Sequence, residues 1–251
     1  MGALRIGILA LIVGLVMVPA LVADTVTFVG GNGFGPYYSA ASDSGEFTLH
    51  VDSSGLMWIL GTGYIPPAAG TGGTMDVIDT DAGKTQLTNT FQSFCVEQIE
   101  TVAKYGTYTP TFSMGSIETG KPLTDGAAYL YYHFAIGDLA GYDYTDPGRS
   151  GIGSSSDLLH KALYWFMGVG PDPGITNSFE VLGNANGGLT AGNDGLPVEV
   201  MNLWVPGYVD KPNGARQDVL VLTPVPDGGL TVMLLGIGVG ILAVIARRLG
   251  R

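Results

Sequence analysis

The patterning of this chain predicts a mainly β fold, sandwich-like, with two inserted α-helices. Three observations carry that expectation. Polar and apolar residues alternate over short runs, most cleanly in Glu46-Phe47-Thr48-Leu49-His50-Val51, as a half-buried strand requires. Charged residues make up only 13% of the chain while glycines number 40, which suits short strands and many turns better than long surface helices. Twice, over 125–136 and 157–167, the apolar spacing changes from the period of a strand to that of a helix. Strands on both sides of a helical pair form a segregated arrangement, either α+β or a sandwich with both helices packed on one end.

The elements follow in order. Residues 25–29 alternate as a strand. Residues 46–51 form a second strand, and Asp52-Ser53-Ser54-Gly55 supplies a turn into 56–60, which predicts a hairpin. Residues 61–73, rich in Gly, Pro and Thr, read as a long loop. Strands are expected at 91–96, which carries Cys95, and at 105–112. Thr124 or Asp125 caps the first helix, whose run Ala127-Ala128-Tyr129-Leu130-Tyr131-Tyr132-His133-Phe134-Ala135 meets no breaker before Gly137. Ser155 or Ser156 caps the second, with Leu158, Leu159, Ala162, Leu163 and Phe166 on one face. The chain then returns to strands at 179–182, 198–205 and 217–223.

Both ends stand apart. Residues 1–23 carry a positive start, the apolar run 6–18 and the small residues Ala20 and Ala23, the layout of a secretory signal peptide. Cleavage fits after Ala20 or after Ala23. At the other end, Val225-Pro226-Asp227-Gly228-Gly229 precedes the uncharged run 230–246 and then Arg247, Arg248 and Arg251. That run makes a helix of roughly 25 Å, and Gly229 with snorkelling arginines extends it toward a ~30 Å hydrocarbon core. The expected membrane helix covers 229–246, with the arginines as a cytoplasmic stop and the rest of the chain outside. The organisation is therefore a signal peptide at 1–23, an extracytoplasmic β-rich domain at 24–223 and a C-terminal segment at 224–251. The middle part is large enough for one domain with its own core.

Between Asp24 and Pro226, 7 Lys and Arg face 21 Asp and Glu, a net charge of −14. Such a surface repels nucleic acid and anionic headgroups. Cys95 is the only cysteine, so no internal disulfide holds the fold.

The C-terminal pattern resembles the PEP-CTERM class of sorting signals, in its Val-Pro-Asp-Ser-Gly variant, with Gly228 where that variant has Ser. The resemblance implies processing by an exosortase, a membrane-embedded transpeptidase-like enzyme, after export through the Sec translocon. It also implies a cell-surface or matrix destination among exopolysaccharide. A second resemblance joins Phe94-Cys95-Val96-Glu97, the helix at 125–136 and Leu159-His160-Lys161-Ala162-Leu163-Tyr164-Trp165. These segments are similar to the Cys-strand and two-helix core of bacterial thioester domains, where a strand Cys condenses with a helix Gln. Here Cys95 fits the strand position and His160 stands where the Gln belongs. Histidine cannot form that thioester, so a buried structural cysteine is expected.

Other chemistry is weighed on the residues themselves. A Cys-His hydrolase needs Cys95 activated by His133 or His160, and no oxyanion loop accompanies them. His50, His133 and His160 match no metal-ligand spacing. Asp76, Asp79 and Asp81 with Gly83 read as an acidic loop, a candidate for Ca²⁺ without EF-hand spacing and otherwise a solvated turn. Tyr37, Tyr38, Tyr142 and Tyr144 suit either sugar stacking or packing. The resulting expectation is an exported, non-enzymatic surface or matrix protein without a cofactor. The rivals are an adhesin with chemistry at Cys95, a plain C-terminally anchored protein, and a secreted hydrolase with convergent carboxylates.

Overall fold

The computed structural model describes residues 24–28, 46–52, 56, 76–80, 83–87, 90–97, 102–103, 106–117, 119–144, 153–211 and 213–223. The elements run β1 (Val26–Phe28), β2 (Glu46–Val51), β3 (Asp76–Thr80), β4 (Gly83–Leu87), β5 (Thr90–Phe94), β6 (Thr107–Ser113), α1 (Asp125–Ile136), α2 (Ser155–Phe166), α3 (Ser178–Ala185), β7 (Val198–Trp204) and β8 (Ala215–Leu222). Six strands form one antiparallel sheet in the order β5-β2-β1-β6-β7-β8, and β3 pairs with β4 in a separate two-stranded sheet.

The sheet turns at β6. Thr107 and Tyr108 pair with β1, whereas residues 109–113 pair with β7. The two outermost strands then meet: Cys95 bridges Val219, and the Val96 N–H donates to the Asp218 carbonyl at 2.9 Å. The sheet therefore closes on itself at a narrow seam between the end of β5 and β8.

Alternation along β7 and β8 separates two cores. Met201, Leu203, Val219 and Val221 pack with Val26, Phe28, Leu49, Val51 and Phe91 inside the curled sheet. Val198, Val200, Leu220 and Leu222 pack on the opposite face against the helices. Both faces of these strands are thus covered, so they read as apolar runs without strict alternation.

The helices begin where side chains can satisfy their first N–H groups. Thr124 caps α1 by accepting from the Ala127 N–H, and Ser154 caps α2 by accepting from Asp157. Gly137 ends α1 in the left-handed region at φ 83°, and its N–H bonds the carbonyls of the last turn. Phe94 meets Phe134 edge-on at 4.9 Å, fastening α1 to the end of β5.

Three expectations need correction. The strand expected at 179–182 is helix α3, so three helices are present among the described residues rather than two. Asn177 caps α3 through the N–H groups of Phe179 and Glu180, and Phe179, Glu180 and Gly183 are buried at helical spacing. The expected hairpin of 46–51 with 56–60 is also replaced. β2 lies between β1 and β5, which occupy its two edges; Leu56 is buried and 57–60 lie outside the described residues. Finally, the acidic stretch is not a loop. Asp76 and Asp79 lie on β3 and Gly83 opens β4, with Asp79 opposite Lys84; Asp81 lies outside the described residues. The expected signal peptide at 1–23 and the expected C-terminal segment at 224–251 also lie outside them. Among the described residues, no helix is long and apolar enough to cross a membrane.

Candidate functional site

The seam between β5 and β8 gathers most of the buried polar chemistry. Cys95 sits one residue past β5 and is 2% exposed. α2 lies against it, presenting His160 and Tyr164 four residues apart on one face. The Cys95 Sγ is 3.2 Å from His160 Nε2 and 3.0 Å from Tyr164 Oη. Tyr164 spends its single proton on the Glu97 carbonyl at 2.7 Å. The thiol proton is then the donor toward Tyr164 Oη or His160 Nε2. The His160 ring stacks over Phe94, with centroids 6.2 Å apart, and meets Tyr164 edge-on at 3.9 Å. The ring is therefore wedged between the strand and its own helix.

Burial pushes the Cys95 thiol up to about 12; the Tyr164 hydroxyl opposes this and the nearby Glu97 charge adds to it. Burial also raises Tyr164, with Cys95 and Glu97 acting in the same direction. A thiol so held is protonated at neutral pH and is a poor nucleophile. The structure therefore brings together Cys95 and His160, the two positions singled out by the sequence, in an arrangement that shields the sulfur rather than activating it.

Beyond Cys95 the network becomes acidic. Glu97 is 0% and Asp218 1% exposed. Ser116 Oγ donates to Glu97 Oε1 at 2.5 Å, and the Asp218 N–H reaches Glu97 Oε2 at 3.3 Å. Gln217 Nε2 donates to the Glu97 carbonyl at 3.0 Å, beside the Tyr164 hydroxyl. The Ile117 N–H donates to Asp218 Oδ2 at 2.7 Å. Burial, and then the charge of Glu97, push the Asp218 carboxyl up to about 8 against the opposing hydrogen bonds from Ile117 and Asn202. Asn202 is held in turn by Ser113, whose Oγ donates to its Oδ1 at 2.8 Å.

The other candidates separate. His50 Nδ1 bonds Asp52 Oδ1 at 2.8 Å and His133 Nδ1 bonds Asp138 Oδ1 at 2.7 Å, so the three histidines serve three different neighbourhoods. No metal-holding group of three or more His, Cys, Asp or Glu is found among the described residues. Tyr142 and Tyr144 pack with Phe134, and the Tyr144 hydroxyl donates to the carbonyls at the end of α1. They are packing residues; Tyr37 and Tyr38 lie outside the described residues. An open groove of about 440 Å³ runs beside α1, lined by Asp125, Tyr129, His133, Asn186 and Asp194 among others. Asp125 lines it, with Oδ1 accepting the Asp194 N–H at 2.9 Å.

Sequence reasoning did not single out Tyr164, Glu97, Gln217 or Asp218 as site residues. One signal was available for two of them: Tyr164 follows His160 by one helical turn, and Glu97 follows Cys95 by two residues in an apolar strand. Nothing local marked Asp218 or Gln217, which reach the site only when β8 closes on β5. Val225, Pro226, Asp227, Gly228, Gly229, Arg247, Arg248 and Arg251 lie outside the described residues. The folded domain runs up to that motif: β8 ends at Leu222, and the Thr223 N–H donates to the Pro197 carbonyl at 2.8 Å. No family model, curated protein or solved structure matches the chain.

Proposed function

We propose that this chain is an exported, non-enzymatic surface or matrix protein with a β-rich, sandwich-like outer domain. It leaves through the Sec translocon and is held in the inner membrane by the helix at 229–246. An exosortase-like enzyme then processes it at Val225-Pro226-Asp227-Gly228-Gly229, which places the outer domain among exopolysaccharide. The carrying observation is the tripartite C-terminus: a Pro-Asp-Gly-Gly motif, an uncharged membrane-length run and an arginine stop. Pro224 and Pro226 resist helix and Gly228-Gly229 loosens the backbone, residue types that suit an extended substrate segment. The test replaces Pro226-Asp227 with Ala-Ala in a host that carries a matching exosortase. Accumulation of the full-length membrane form is the expected result. Processing like that of wild type means the tail is only an anchor.

The closeness of Cys95 Sγ to His160 Nε2, 3.2 Å, raises a second reading, an adhesin built around a reactive Cys95, although His160 cannot take the place of the glutamine in a thioester. Its buried, protonated sulfur weighs against that reading. A native mass lower than the sequence mass by one ammonia, which methylamine raises by the mass of one methylamine, would establish an internal thioester with a glutamine and overturn the non-enzymatic reading.

A further inference from the structure

We propose that the open groove beside α1 is a binding site for a neutral glycan, a chain of uncharged sugar rings laid along the helix. This deepens the reading above and rests on it only for where such a chain would be met. One wall is a single face of α1: Asp125, Tyr129 and His133 follow one another at four-residue steps, a span of roughly 12 Å. The facing wall is the loop after α3, with Asn186, Asp194 and Leu196. The cavity, about 440 Å³, falls in the size range of ligand sites.

Both walls are fixed before any ligand arrives. The first N–H groups of α1, which no helical carbonyl can satisfy, go to the facing loop: Asp125 donates to the Thr190 carbonyl at 2.8 Å and Gly126 to that of Gly188 at 3.0 Å, while the Gly192 N–H returns to the Leu123 carbonyl at 2.9 Å. Gly187 and Gly192 let this loop close over Asp125; a Cβ on the first would lie 2.3 Å from the Asp125 Cβ, and one on the second 2.7 Å from its Oδ1. Asp194 is held at φ 48° with its N–H on Asp125 Oδ1, which sets the two carboxylates at one end. On the α1 wall the rings of Tyr129 and His133 lie 4.3 Å apart, and Asp138 fixes the imidazole through Nδ1 at 2.7 Å. The Leu182 carbonyl holds Asn186 Nδ2 at 2.8 Å. Groups already fixed lose little freedom on binding.

The lining selects the ligand. A pyranose has an apolar C–H face and a rim of hydroxyl donors. Tyr129, partly exposed, offers apolar ring surface to the first, and the Asp125 and Asp194 carboxylates are charge-assisted acceptors for the second. Among the described residues no lysine or arginine lines the groove, and the chain between Asp24 and Pro226 carries a net charge of −14. Glycans bearing uronate or sulfate are therefore repelled.

The test is calorimetric titration of the purified full chain with cellotetraose, maltotetraose, laminaritetraose, tetramannuronate and a glucosamine tetramer. At least one neutral tetramer should bind with a Kd of about 1 mM or tighter, and tetramannuronate at least about tenfold more weakly. Asp194→Asn keeps the N–H donated to Asp125, and asparagine tolerates the left-handed backbone, so this exposed variant folds; it should bind the neutral tetramer about tenfold more weakly. Tyr129→Ala should weaken it by a similar factor. The proposal is overturned if no neutral tetramer binds, if tetramannuronate binds equally well, or if Asp194→Asn leaves the affinity unchanged. A glucosamine tetramer that binds more tightly than every neutral one reassigns the groove to a cation and overturns it too. Binding in solution does not depend on sorting, so failure here leaves the C-terminal reading standing, and normal processing of the Pro226-Asp227 variant leaves the groove standing.

Discussion

At the scale of single residues, His160 and Tyr164 cover the one buried sulfur. The flanking Phe94 and Val96, both 0% exposed, make burial of Cys95 readable from the strand alone. Its partners are not readable: His160 and Tyr164 lie 65 and 69 residues away, and only docking of α2 on the seam brings them in. Tyr164→Phe removes the hydroxyl that links Cys95 to the Glu97 carbonyl, and should cost about 1–2 kcal/mol in urea unfolding. An unchanged midpoint would show that the hydroxyl contributes nothing net. Cys95→Ala removes little volume and should cost about 1–2 kcal/mol by the same measurement. Native Cys95 should react with maleimide at neutral pH at least about a hundredfold more slowly than in urea; equal rates would contradict its burial.

At the scale of elements, α1 is legible because cap, apolar face and stop agree, and α2 because its apolar face and stop do. Thr124 and Gly137 bound α1 as expected, whereas α2 is capped by Ser154 and not by the expected Ser155 or Ser156, which lie inside its first turn. α3 reads as a strand from Phe179-Glu180-Val181-Leu182, a short apolar run without a clear period. The cap Asn177 with Glu180 three residues later was the helical signal, and packing settles the matter. Gly183 lets α3 approach α2: a Cβ there would lie 2.3 Å from the Phe166 ring and 3.2 Å from Leu130. Gly183→Ala should therefore destabilise the protein by about 1–3 kcal/mol in thermal or urea unfolding, although alanine is the better helix former by about 1 kcal/mol. A stabilised variant would mean that α3 does not pack in this way. Asn177→Ala removes the cap and the bond from Asn177 Nδ2 to the Leu158 carbonyl, for an expected loss of about 1–2 kcal/mol.

At the scale of the whole molecule, the proposed route to the surface makes a direct prediction. Deleting residues 230–251 should release the protein as a soluble species into periplasm or medium, and continued fractionation with membranes would refute the anchor. The sequence by itself determined the mainly β character, the places of the principal strands and of two helices, and the burial of Cys95, because alternation, caps and breakers act over a few residues. Only the tertiary structure decided that β2 lies between β1 and β5, that β6 bends the sheet, and that β8 returns to close against β5. Those pairings join residues far apart in the chain, and their register depends on which faces remain to be covered once the helices have docked on β7 and β8. The juxtaposition of Cys95, His160, Tyr164, Glu97 and Asp218 follows from that closure. No local pattern encodes it, since each residue taken alone is compatible with an ordinary strand or helix, and only long-range burial turns them into one hydrogen-bonded cluster.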